Sequence, residues 1–138
     1  MATDAQFTAT PILGHARIAA ANTARDGSGT LATAYTVPAG GALVSQVVFV
    51  SAQATAAASS AMVGRVFITD AAGANPQLRA EIAIPTATAS DTAVGATVTV
   101  SFPNGLPLLE GQEVQVAISV YAGAQDQMDV FVEGGEFS

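Results

Sequence analysis

Few side chains in this sequence are of the kinds that do chemistry, and their spacing limits what each can do. There is one histidine, His15, and no cysteine. A nucleophilic triad or a histidine-based zinc site needs its histidine beside a nucleophile or further ligands, and nothing around His15 supplies that context. It reads as an exposed or neighbour-contacting residue. Carboxylates recur three apart, as Glu110 and Glu113 around a Gly-Gln turn and as Glu133 and Glu136 near the carboxyl terminus. Glycoside hydrolysis needs two carboxylates across a cleft, with aromatic surfaces to hold the sugar. The chain has no tryptophan, and Tyr35 and Tyr121 are its only tyrosines, so these pairs read as solvated surface. Asp126 and Asp129 could together help hold a cation at a subunit junction, on a weak pattern.

Asp26-Gly27-Ser28-Gly29 shares an acid and glycines with calcium-binding loops. Such loops place oxygen ligands at alternate positions and end in a bidentate Glu. Here a single acid stands beside Arg25, which repels a cation, so the segment reads as a turn. No βαβ unit follows it to make its Gly-x-Gly a dinucleotide fingerprint. Arg25 is the more informative residue. Its planar guanidinium, beside Asp26 in a Gly-rich turn, suits a bidentate contact with a carboxylate of its own chain or of another subunit. Asn22, Arg25, Asp26, Gly27 and Gly29 are therefore the candidate turn and interface residues. No catalytic residue, metal ligand or cofactor-binding residue is assigned, and no cofactor is expected.

The bulk composition points the same way. The 138 residues suit one domain, large enough to bury a core without disulfides. Charged residues make up only 11%, under half the usual share. Lysine is absent, and the basic residues are Arg17, Arg25, Arg65 and Arg79. A formal net charge of −7 opposes nucleic-acid binding, which relies on clustered Lys and Arg. No run of 18 or more apolar residues is present to span a membrane. Residues 1–6 lack the basic and apolar regions of a signal peptide, so a product made in a cytoplasm is expected. A surface rich in Ala, Thr, Ser, Gly and Gln suggests that other protein chains cover part of it.

The elements that position these residues are strands. Val94, Ala96, Val98, Val100 and Phe102 alternate with Gly95, Thr97, Thr99 and Ser101, the period of a strand with one buried face. Residues 113–120, 78–84 and 128–133 alternate in the same way. Residues 43–52 and 61–69 are apolar on both faces in places, which suits central strands covered on both sides. Residues 30–37 form another strand and 15–20 a weaker one. Turns fall at residues 25–29, 38–41, 70–76, 103–105 and 110–112, from their Gly, Pro, Asn and Asp content. Residues 52–61 carry helix formers without an amphipathic period, and read as a loop or one helical turn. Residues 86–93 read as an exposed connection. The expected fold is all-β, a single-domain β-sandwich of about eight antiparallel strands, jelly-roll or tulip-like. It spans residues 15–138, after a flexible amino-terminal arm at 1–14.

The order of the pieces adds a resemblance. Residues 22–30 (NTARDGSGT) lead to a strand, then Gly40-Gly41 and a long apolar strand. Val66-Phe67-Ile68-Thr69-Asp70, Glu81-Ile82-Ala83-Ile84-Pro85 and residues 102–108 (FPNGLPL) follow. Over about residues 20–135 this resembles small virion proteins of tailed bacteriophages, namely capsid decoration (cement) proteins or head-fibre components. The resemblance implies a jelly-roll or tulip-like domain, commonly trimeric, seated at threefold positions of the capsid lattice. The partners it implies are the major capsid protein of the phage head and two further copies of the chain. The location it implies is the virion surface, after assembly in the host cytoplasm. The competing reading is a receptor- or glycan-binding module of a phage fibre or tail. A small jelly-roll hydrolase is a third, disfavoured by the missing histidine or metal cluster.

Overall fold

The computed structural model describes residues 10–137. Among them nine strands form two antiparallel sheets. In chain order they are β1 Thr10–Pro11, β2 Gly14–Ile18, β3 Ala32–Thr36, β4 Ala42–Ser51, β5 Met62–Ile68, β6 Gln77–Ile84, β7 Thr97–Leu108, β8 Glu113–Ile118 and β9 Met128–Glu136. Short 3-10 turns occur at Ala71–Gly73 and Ala124–Asp126.

Strand pairing is nested. β2 pairs with β9, β3 with β8, β4 with β7 and β5 with β6, all antiparallel. A long hairpin wound over itself produces this order, and it defines a jelly roll. The links β4–β9 and β5–β8 complete the two sheets. The first sheet runs β1/β2–β9–β4–β7 and the second β3–β8–β5–β6. Of the segment expected as an arm, residues 1–9 lie outside the described residues. Thr10 and Pro11 pair with the end of β9, and Gly14 opens β2.

The inward faces follow the alternation of the sequence. Val114, Val116 and Ile118 of β8, Val44, Val47 and Phe49 of β4, and Val130 and Val132 of β9 are fully or almost fully buried in one core. The sheets are fastened along the β2/β3 side, where the Tyr35 hydroxyl donates to Glu136 Oε2 at 2.5 Å. Burial, reinforced by that carboxylate, raises the Tyr35 pKa and keeps the phenol protonated.

Three expectations change. The alternation at 94–102 begins three residues before its strand, and Val94 is 91% exposed. The residues after it meet the end of β4 differently: Ser51 N–H donates to Ala96 O, and Gly95 stands where a Cβ would lie 2.8 Å from Ser51. Pro103-Asn104-Gly105 is no turn between elements but a bulge inside β7, where residues 102–105 stand opposite Ser45. Strand β4 is central yet covered on one side only, since its outward Val48 and Val50 are half-buried. The segment 52–61 is a loop without a helix.

Candidate functional site

The residues singled out between 22 and 29 form one built structure. The crossover from β2 to β3, residues 19–31, lies over the outer face of the second sheet. It is tied there at several points. Asn22 N–H donates to Ile118 O at 2.9 Å, and Arg65 Nη1, from the outer face of β5, approaches Asn22 O at 3.4 Å. The Asn22 side chain is buried and braces the loop from within. Its amide nitrogen donates to Ser28 O and Thr30 O at 3.0 and 2.9 Å, and its Oδ1 accepts from Ala24 N–H at 3.0 Å.

Asp26 makes an Asx turn, with Oδ1 accepting from Ser28 N–H at 3.0 Å and from Ser28 Oγ at 2.6 Å. These bonds, the hydroxyl's foremost, hold its carboxyl below the usual range. The turn reading of this segment therefore has its geometry. Gly27 and Gly29 both have positive φ, 88° and 78°. A Cβ on Gly27 would lie 2.3 Å from Pro76 O, and one on Gly29 would lie 2.7 Å from Asn22 Oδ1. Only glycine permits the left-handed backbone and the close approach together.

Arg25 finds its carboxylate within the chain, donating from Nη2 to Glu81 Oε1 at 2.5 Å. Glu81 Oε2 also accepts from Arg65 Nε at 2.9 Å. Its carboxyl is held below the usual range by these hydrogen bonds, Arg65 first and Arg25 second. The expected fork geometry belongs to a different arginine. Arg17 Nε and Nη2 meet Asp129 Oδ1 and Oδ2 at 2.7 and 3.0 Å. Asp129 is thus engaged by Arg17, whereas Asp126 is engaged by Ser60 and Ala122, so each acid has partners of its own instead of a shared cation.

Beneath this loop the outer face of the second sheet is dry. Phe67 and Ala117 point away from the main core, yet they are 0% and 1% exposed, and Arg65 is 7% exposed. The outer face of the first sheet is open. Register aligns His15, Phe131, Val48 and Thr99 in one row and Arg17, Asp129, Val50 and Thr97 in the next. Phe131 is 42% exposed, and the His15 ring lies 6.3 Å from it, centroid to centroid. The result is an open patch of aromatic, β-branched and hydroxyl side chains, with a shallow depression between His15, Arg17, Asp129 and Phe131. Arg17 and Asp129 neutralise each other there, and Glu133, the next outward residue of β9, accepts from Gln46 Nε2 at 3.1 Å at the border of the patch.

Asp126, read from the sequence as half of a cation pair, has a different role. Its carboxylate is completely buried at the end of the sandwich where the crossover loops gather. Ser60 N–H and Ala122 N–H donate to it at 2.6 and 2.7 Å, and Ser60 Oγ at 3.0 Å. Burial pushes its pKa up, and the hydrogen bonds outweigh burial and hold it down, so the group is ionised. Spacing could not have revealed this, because Ser60, which supplies two of the three donors, lies 66 residues from Asp126 in sequence.

Among the described residues no group of three or more His, Asp and Glu side chains is placed to hold a metal ion. No described helix is long and apolar enough to cross a membrane. Set against family models, curated proteins and solved structures, the chain matches none. Its function is therefore argued from its fold and its own surfaces.

Proposed function

We propose that this protein is a structural component of a tailed-phage virion. In this reading it is a decoration protein that sits on the outside of the head as a homotrimer, contacts the major capsid protein and stabilises the shell. It acts through surface contact without catalysis, cofactor, nucleic acid or membrane. The jelly-roll topology supports the reading, as do the ordered turn and strand pieces of residues 20–135.

The observation that carries it is the open outer face of the first sheet. Phe131, Val48 and Val50 among Thr97 and Thr99 make an apolar and hydroxyl surface whose ion pair, Arg17–Asp129, is already formed. This part of the face therefore loses little on leaving water, while the exposed Glu133, held by Gln46, marks its charged border. A single patch of this size binds weakly. Three copies held together engage the shell by avidity, so that modest contacts sum to firm attachment.

Cryo-microscopy of the intact particle tests this reading. Density for the sandwich is expected on the head exterior, with the Phe131 face against capsid subunits. Density on a fibre or tail would overturn it in favour of a receptor- or glycan-binding module, and absence from the particle would overturn it outright.

A further inference from the structure

The two sides of the sandwich are closed differently. On the β2/β3 side the sheets are pinned by Tyr35 and Glu136. On the opposite side lie β6 and β7, the last strands of their sheets, each with one edge unpaired. The inward-facing Ala80 and Ile82 of β6 are only half-buried, unlike Val66 of β5 and Val114, Val116 and Ile118 of β8. Two bulges shape this seam. One drops Arg79 out of register with β5, because Val66 and Phe67 pair with Ala80 and Leu78. The other displaces residues 102–105 of β7. Bulges redirect side chains, and here the Arg79 guanidinium lies over the Phe102 ring at 5.1 Å. Ser101, Asn104 and Gly105 complete an open groove of about 300 Å³. That is the bottom of the range for small-molecule pockets, roughly 300–1,000 Å³, and suits one or two protein side chains.

The charge of the groove selects its occupant. Arg17, Arg25 and Arg65 each hold a carboxylate. Among the described residues Arg79 holds none, on a chain of net charge −7. The matching feature is the turn between β7 and β8. There Leu109, 76% exposed, stands beside the exposed Glu110. This tip is rigid. Leu109 N–H donates to Gln112 Oε1 at 2.7 Å, Gln112 Nε2 to Thr69 O at 2.9 Å, and Gly111 N–H to Val37 O at 2.9 Å. A preformed tip gives up little conformational freedom on docking. It cannot fill its own groove. Leu108 pairs with Ala42 and Ser101 with Gln46, which sets tip and groove roughly 13 Å apart along the strand axis.

We propose that the Leu109–Glu110 turn of one copy seats in the Arg79–Phe102 groove of the next, Glu110 on the guanidinium and Leu109 against the apolar seam. Different patches meet, so the contact is head-to-tail, and a rotation of one third closes it into a ring. This supplies the self-association within the decoration-protein reading. It is tested in solution without a shell, so the two fail separately: a monomer leaves shell attachment standing, and a tail location leaves the ring standing.

The experiment is light scattering on size-exclusion fractions at micromolar protein and low salt. Wild type is expected at three times the chain mass. Arg79→Glu and Glu110→Arg each place like charges together and should weaken assembly at least about tenfold. In an equimolar mixture of the two single variants a ring of three can match two junctions, one with the wild-type pair and one with the pair reversed. Its third junction sets like charges together, so full rings of three should not return, whereas the double variant R79E/E110R should restore them. Leu109→Ser should weaken assembly without altering charge. All three positions of change carry exposed side chains, and an unchanged melting temperature confirms folding. A wild-type monomer, single variants of unchanged mass, or a double variant that stays monomeric overturns the proposal.

Discussion

The two sheets of this sandwich treat their outer faces in opposite ways. The second sheet carries a phenylalanine outward, Phe67, and covers it with a thirteen-residue crossover (residues 19–31) braced by Asn22, two positive-φ glycines and the Arg25–Glu81–Arg65 chain. The first sheet also carries a phenylalanine outward, Phe131, and leaves it 42% exposed. The same residue type on the same kind of strand therefore has a structural role on one face and is free for contact on the other. What differs is the loop, not the strand.

Substitutions sharpen this contrast. Phe67→Ala should cost about 3–5 kcal/mol, as for any large buried aromatic, even though the ring lies outside the main core. Chemical denaturation measures it, and a loss below 1 kcal/mol would mean that the loop does not seal this face. Asn22→Ala strands Ser28 O, Thr30 O and Ala24 N–H, and should cost about 1–3 kcal/mol. Protease sensitivity confined to residues 19–31 would locate that loss.

Asp126→Asn probes the loops at the end of both sheets. The folded carboxyl has a lowered pKa, so its contribution is complete above the unfolded value of roughly 3.9 and disappears as pH falls through the lower folded value. The variant should be less stable at neutral pH and lose less on acidification between about pH 5 and 2, as read by melting temperature against pH. A wild-type slope retained in the variant would assign the acid lability to Asp26, Glu81 and Asp129 instead.

Smaller effects follow on the exposed groups. Arg25→Ala breaks an exposed ion pair and should cost only about 0.2–1 kcal/mol, falling with added salt. Phe131→Ala should change stability by no more than about 0.5 kcal/mol. If the open face is the one that docks, the same variant loses attachment to heads in a co-sedimentation assay. A large stability loss with Phe131→Ala would erase the distinction between the two faces.

Much of this was legible in the residues. The alternation of Val114, Val116 and Ile118 with Glu113, Gln115 and Ala117 dictates a strand with one dry face, because successive side chains point to opposite sides. Gly27 and Gly29 beside Asp26 dictate a turn, since few other residues adopt positive φ without strain. These are local properties, and the chain carries them wherever it folds. Which strands neighbour one another was not local. The bulges that release Arg79 and residues 102–105 arise from register between distant strands, and Pro103-Asn104-Gly105 has the composition of a turn in either setting.

The sequence by itself determined an all-β chain of short, apolar-faced strands, its principal turns, and a surface poor in charge. Tertiary structure alone decided that Arg25 reaches Glu81, that Asp126 is buried and ionised, and that Phe67 is covered while Phe131 is open. The reason is physical. Period and turn chemistry act within a few residues, whereas burial and ion pairing depend on which distant segment arrives on a face.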